Sequence, residues 1–305
     1  MKTITPHLWF DKQAREAAEF YVSAIPGSRV TNVRRLTDTP SGDCDVVSFE
    51  LAGQPFMAIS AGPLFQFNPS VSFQIKCSTT EDVDAIWEQL SPGGKVLMPI
   101  GTYPFSARYG WLEDRYGLSW QVRHAGGGSA GQRITPTLMF VGGVCGKAEE
   151  AIHFYASVFA GAPDRAGTGE TKADVLARYG PGEDPDREGT VRYAQFSLLG
   201  QEFAAMDSAR GHGFKFGEAI ALLIPCDTQE EIDYFWGKLS ADPKAEQCGW
   251  LRDRYGLSWQ VAPVMLSALL GGDDKKRSGR VTQAFLKMKK FDIAELQRAA
   301  AASTD

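Results

Sequence analysis

With 305 residues, 43% hydrophobic and 23% charged, and a formal net charge of −5, the chain has an ordinary globular composition and room for two domains. That balance speaks against a nucleic-acid surface, because the one basic run, Lys275–Arg280, sits beside Asp273 and Asp274 and reads as a solvated linker. No apolar stretch approaches the roughly 18 residues of a membrane span and MKTITPHLWF has no apolar h-region, so neither a membrane protein nor a secreted one is expected.

The elements follow in chain order. Ile4–Phe10 alternates as a strand, and Lys12–Ala24 places Ala14, Ala17, Ala18 and Tyr21 at helical spacing. Strands are predicted over Arg29–Leu36, Val46–Leu51 and Pro55–Ser60. The order then restarts with strand Val71–Cys77, helix Glu81–Leu90 after a Ser-Thr-Thr capping run, and strands near Val96, Tyr109 and Trp120. A-G-G-G-S-A-G-Q, residues 125–132, has flexible-linker composition.

Beyond that linker the chain repeats itself. G-W-L-E-D-R-Y-G-L-S-W-Q-V at Gly110–Val122 returns at Gly249–Val261 with one change, and I-T-P-H-L-W-F from Ile4 returns as I-T-P-T-L-M-F from Ile134. E-A-A-E-F-Y ending at Tyr21 matches E-A-I-H-F-Y ending at Tyr155, and L-A-G-Q-P-F from Leu51 matches L-L-G-Q-E-F from Leu198. Four matches in one order make the chain a duplication of two βαβββ units, four units in all. The helix of the last unit opens T-Q-E-E at Thr228, a capping-box spelling with Glu231 at its third position. Gly271–Gly279 is a polar break, and Val281–Ala302 spaces Phe285, Met288, Ile293 and Leu296 as one or two helices packed on the body. Five cysteines (Cys44, Cys77, Cys145, Cys226, Cys248) with no C-x-x-C fit reduced thiols in a cytoplasmic protein.

Helix-end F-Y, V-S-F-Q-I-K-C, R-Y-G-P-G-E, G-Q-E-F-A-A-M-D and the closing D-R-Y-G-L-S-W-Q-V together resemble the PhnB-like branch of the vicinal-oxygen-chelate superfamily of glyoxalases, bleomycin-resistance proteins and dioxygenases. Members of that branch are often labelled as relatives of 3-demethylubiquinone 3-methyltransferase. The resemblance implies an α+β fold with two tandem domains, 1–124 and 133–264. In each, paired βαβββ units form an incomplete barrel around a cavity, and residues 265–305 form a tail. Single-copy relatives dimerise, so the resemblance also implies an intramolecular pseudo-dimer.

Metal-using members ligate a divalent ion through His, Glu or Gln on facing strands. Carried over one by one, those positions fall at Ile4 and Ile134, Ala58 and Ala205, Ser72 and Ala221, and Gln121 and Gln260. One amide per site is not a metal site, so no metal and no cofactor are expected. His7 lies on the opposite strand face from Ile4 and reads as a surface or interface residue. Asp207, on the face of Ala205, with His212 and Glu218 in the loop beyond, forms the polar cluster of the second copy. Asp207 and His212 are candidate catalytic residues there, and a divalent metal in that domain is the alternative. Gln121, Gln260, Ser60, Ser72, Asp207 and Glu218 are the candidate ligand contacts. Gly142–Lys147 stands between a strand and a helix but lacks P-loop spacing, and no glycine-rich turn suits a methyl donor. The function that follows is small-molecule binding in an aromatic-lined cup. The rivals are an enzyme, with or without metal, acting on a small oxygenated metabolite, and a structural module.

Overall fold

The computed structural model describes residues 2–126, 131–163, 171–272 and 274–302; residues 127–130 of the expected linker and Asp273 of the polar break lie outside the described residues. Unit one comprises β1 (Thr5–Phe10), α1 (Ala14–Ala24), β2 (Arg29–Thr39), β3 (Gly42–Leu51) and β4 (Gln54–Ser60). Unit two comprises β5 (Val71–Cys77), α2 (Thr80–Leu90), β6 (Lys95–Tyr103), β7 (Ser106–Glu113) and β8 (Ser119–His124). Unit three comprises β9 (Ile134–Val141), α3 (Ala148–Ala160), β10 (Ala173–Arg178), β11 (Val191–Leu198) and β12 (Gln201–Ser208). Unit four is β13 (Ile220–Cys226), α4 (Gln229–Leu239), β14 (Trp250–Arg252) and β15 (Ser258–Pro263), and α5 (Leu266–Leu269), α6 (Lys275–Phe285) and α7 (Ile293–Ala301) follow.

The units do pair into open sheets, and each takes its partner from the other copy. One sheet runs β14-β15-β13-β1-β4-β3-β2, joining units four and one, and the other runs β10-β11-β12-β9-β5-β8-β7-β6, joining units three and two. The seams are antiparallel pairs, β1 on β13 and β5 on β9. Helices cover one face of each sheet, and alternation along the strands sends Leu8, Phe49, Phe56, Phe73 and Trp120 to that covered side. Phe56 meets Phe73 with ring centroids 5.0 Å apart, so the covered sides of the two sheets share one core. Each fully buried large side chain there contributes about 2 kcal/mol.

The repeated D-R-Y-G-L-S-W string explains itself in this core. The Asp253 carboxylate accepts from the backbone N–H of Tyr255 (2.8 Å) and Leu257 (3.1 Å), the Tyr155 hydroxyl (2.8 Å) and the Trp259 indole (2.9 Å). Asp114 likewise takes the N–H of Tyr116 and Leu118 and the indole of Trp120. The neighbours complete a clamp on the helix: Arg115 lies over Phe20 and Arg254 over Phe154, while Tyr116 donates to Glu16 and Tyr255 to Glu150. Burial pushes both Asp carboxyls up, and the donated hydrogen bonds, led by those of the indoles, pull against it.

Helix ends follow the sequence where a cap is local. Thr79 caps α2, and Thr228 with Glu231 forms the capping box of α4. The basic run from Lys275 departs from its expectation as a linker. It is the start of α6, because Asp274 caps it through Arg277 N–H, and Arg280 binds the carbonyls of Ala299 and Ala300 at the end of α7.

Unit four is one strand short among the described residues. Leu90 and Gly110 are twenty positions apart, whereas the matching Leu239 and Gly249 are ten apart, and the missing stretch is the edge strand. The tail covers that edge: Cys248 N–H and Gly249 N–H donate to the carbonyls of Met288 and Lys289 at 2.8 and 2.7 Å. It also reaches β2 at the far edge, where Arg34 donates to the Ser267 carbonyl and Gln283 to that of Asp38. The tail thus bridges both edges of the seven-stranded sheet. No helix among the described residues is long and apolar enough to cross a membrane.

Two outcomes test this account. Asp253→Ala strands four buried donors, and urea unfolding at constant m should show a loss of about 3–5 kcal/mol, with Asp253→Asn losing less. At Gly249, φ is +81° and an added Cβ would stand 2.4 Å from the Phe291 ring. Gly249→Ala should therefore loosen the tail, seen as cleavage after residue 264 at protease levels that leave the body intact, with a cost of about 1–3 kcal/mol.

Candidate functional site

Each sheet has a face turned away from the helices, and it is there that polar side chains collect. In the seven-stranded sheet, strand register puts His7, Met57, Ala221, Ser258, Gln260 and Trp250 on this open face. His7 Nδ1 lies 2.7 Å from Gln260 Oε1. An amide oxygen only accepts, so Nδ1 carries the ring proton and Nε2 presents a lone pair. His7 is 5% exposed, and its Nε2 has no hydrogen-bond partner among the described residues; nor has the Ser258 hydroxyl. Burial drives the imidazole down to about 4, against a smaller upward pull from Gln260, so the ring is neutral at pH 7. Aromatic rings wall the pair in: Trp250 stands 5.2 Å from His7, Trp9 6.0 Å from Trp250, and Phe65 5.0 Å from Trp9. Trp9 is fixed by its indole N–H on the Gly62 carbonyl.

The open face of the eight-stranded sheet holds Ser72 and Gln121 instead. Gln121 donates to Ser72 (2.8 Å) and accepts from the Tyr109 hydroxyl (2.9 Å). Gln121 and Gln260 both turn away from the core because the clamp holds Trp120 and Trp259 on the helix side.

Other residues singled out in the sequence lie elsewhere. Ile4, Ala58, Ile134 and Ala205 sit in the core, so the ligand positions carried over to them are one residue out of phase with the open face. His7, read as a surface or interface residue, is buried on the open face at the seam between the copies, where it meets Gln260. Asp207 does not look into a cavity: it shares Ala205's side and accepts from the N–H of Gly146 (2.7 Å), Ala148 (3.1 Å) and Val191 (3.0 Å), capping α3 from the end of β12. Ser60 does the same for α1, accepting from Ala14 N–H. The Asp207 carboxylate occupies the place an anion would take at the start of α3, which removes the phosphate reading of Gly142–Lys147.

His212 bonds the Ser208 hydroxyl at 2.8 Å and rests on Phe214, and burial lowers its imidazole. Ser208 faces the side opposite Asp207, so the two candidate catalytic residues do not converge. Glu218 pairs with Arg252, which also holds Asp242. Among the described residues no three His, Cys, Asp or Glu side chains gather as metal ligands. The open face around His7 offers one imidazole and one amide oxygen already engaged by that ring, a donor set that does not fit a divalent ion.

The profile of the 3-demethylubiquinone-9 3-methyltransferase family matches residues 2–123 and again 132–262. The PhnB protein of Bacillus cereus is similar at 36% identity over 41% of this chain and 100% of that one, with a TM-score of 0.38. Glyoxalase I of Zea mays shares 10% identity over 85% of this chain and 91% of its own, with a TM-score of 0.52. A proposed dioxygenase of Bacillus subtilis shares 12% over 86% of each, with a TM-score of 0.50. At such identities these last two speak for the fold alone. No curated protein matches the chain.

The buried imidazole sets a pH dependence. Above pH 6.5 the ring is neutral folded or unfolded. Between 6.5 and about 4 the unfolded ring takes up a proton that the buried one refuses, so stability falls as the pH falls through this window. Relative to His7→Thr, which has no titrating ring, the wild type should lose about 3 kcal/mol between pH 7 and pH 4 in urea titrations.

Proposed function

The chain belongs to the 3-demethylubiquinone-9 3-methyltransferase family, and from that premise we propose that it is a small-molecule binding protein of glyoxalase-like fold whose working face is the His7–Gln260 face. One observation carries this reading: a buried, neutral imidazole, locked in one tautomer, keeps an unpartnered lone pair inside an aromatic wall. An orphaned buried acceptor costs about 1–3 kcal/mol, a loss that a ligand hydroxyl or N–H would recover. Trp9, Trp250 and Phe65 suit a flat apolar body, and His7 Nε2 and Ser258 Oγ suit the polar groups that orient it.

Methyl transfer is less well supported. Adenosyl donors are ordinarily held at a glycine-rich first turn of a doubly wound parallel sheet, whereas both sheets here are mixed and the Gly142–Gly143 turn leads to a helix start capped by Asp207. An enzyme working through Asp207 and His212 is disfavoured because Asp207 is taken up by the start of α3 while His212 bonds Ser208 on the other side of β12. A base titrating near 4 also accepts protons poorly at neutral pH.

A thermal-shift panel of hydroxylated aromatic compounds and of Mn, Fe, Co, Ni and Zn salts separates these readings. Compounds that stabilise the wild type should bind at least roughly tenfold more weakly to His7→Thr, a change of about 1.4 kcal/mol. Hits indifferent to His7 would sink the proposal, and a stoichiometric metal lost in Asp207→Ala would put a metalloenzyme in its place.

A further inference from the structure

The tail that bridges the edges of the seven-stranded sheet does so on the open side. Arg34 stands in one register row with Val46, Ile59 and Trp9, so its side chain leaves β2 on the His7 face, where it donates to the Ser267 carbonyl. At the opposite edge the Cys248 thiol lies 3.6 Å from the Phe285 carbonyl, and the Cys248 carbonyl accepts from the Gln260 amide at 3.3 Å. Gln260 is the partner of His7. Gln283, which reaches the Asp38 carbonyl on β2, and Phe285, which reaches Cys248, are two residues apart, at most about 7 Å of chain. The two end strands of the sheet therefore face each other across α6, which fills the gap between them on the His7 side.

The two lips of that gap hold the tail unequally. On the β14–β15 side the fastening is backbone and core. Val264 N–H donates to the Cys226 carbonyl, Cys248 and Gly249 N–H donate to Met288 and Lys289, and Phe291 is buried against Gly249. Gln229 at the start of α4 adds two more bonds, donating to the Phe291 carbonyl and accepting from Ile293 N–H. On the β2 side α6 packs on the strand, and the bonds of Arg34 to Ser267 and of Gln283 to Asp38 are both open to solvent. A cleft of about 570 Å³ opens there between the tail helices and Asp38, lined by Arg280, Gln283, Lys287, Met288 and Glu295. Contacts that water can replace are the first to open.

We propose that the tail is a flap, hinged along β14 and β15 and released at β2, whose opening admits ligands to the His7 face; this rests on the binding reading above. Closed, the flap holds Phe285 against Cys248 and shuts the side of the sheet. Open, it exposes His7 through the gap between β14 and β2 while the rest of the fold stays in place.

Diethyl pyrocarbonate acylates neutral imidazole nitrogens, so its reaction with full-length protein at pH 7, followed peptide by peptide in a mass spectrometer, reads access to His7 Nε2 without any ligand. Arg34→Ala with Gln283→Ala removes both exposed links at the free lip. In that variant His7 should react at least roughly tenfold faster at an unchanged melting temperature, while His124 and His153 keep their wild-type rates. Either substitution alone should give an intermediate rate. A His7 rate equal to the wild type's overturns the proposal and makes the tail a fixed wall of the sheet. The binding reading can fail separately: faster acylation of His7 with no compound bound keeps the flap and removes the ligand. Compounds that bind through His7 with the same association rate in wild type and variant remove the flap and keep the ligand.

Discussion

The rest of the molecule depends on one interaction, the buried carboxylate of Asp114 and its repeat Asp253. A charge cannot be left bare in a core, and here it is met by backbone N–H groups of its own turn and by an indole from the next strand, joined in the second copy by a helix tyrosine. That fixes the turn, ties the last strand of the copy to its first helix, and sets the facing of that strand. Once Trp120 and Trp259 are held on the helix side, strict alternation sends Gln121 and Gln260 to the open side. The longest string shared by the two copies is therefore a structural clamp, and the glutamine beside the clamped tryptophan is the residue it turns to the open face.

The same clamp works within a copy, joining the first helix of a copy to its last strand, while the sheets are built across copies. Helix packing therefore holds unit one to unit two and unit three to unit four, and the antiparallel seams β1–β13 and β5–β9 cross-link the copies. Each open face draws one half from each copy, so neither copy alone has a complete face. His7 and Gln260, 253 positions apart, meet only because of this exchange.

Much of this could be read from the chain. The repeat, the βαβββ order, the local caps at Thr79 and Thr228 and the helical tail follow from spacing and short-range chemistry, while the inward place of Gln121 and Gln260 came from the family resemblance. What failed were judgements of phase and of distant partners. Setting the ligand position at Ile4 rather than one residue away reversed the facing of the whole strand, which hid His7 and put Asp207 in a cavity it does not see. Asp207 and Ser60 cap helices that precede them by some 60 and 46 residues, beyond any local motif. The ten-residue gap in unit four was visible as a length difference between copies, and it marks the edge that the tail had to cover.

A symmetric dimer of single copies would have two identical faces, because any substitution appears in both. Duplication within one chain removes that constraint. His7 stands where the other sheet has Thr137, and Leu223 where it has Gln74, so one face has become aromatic with a single imidazole while the other is a neutral polar grid. The clamp, by contrast, has stayed alike: Asp114 and Asp253 each hold the indole of the next strand, and Tyr116 and Tyr255 each donate to a glutamate of the copy's first helix. The two open faces have thus diverged while the clamp beneath them has been kept in both copies.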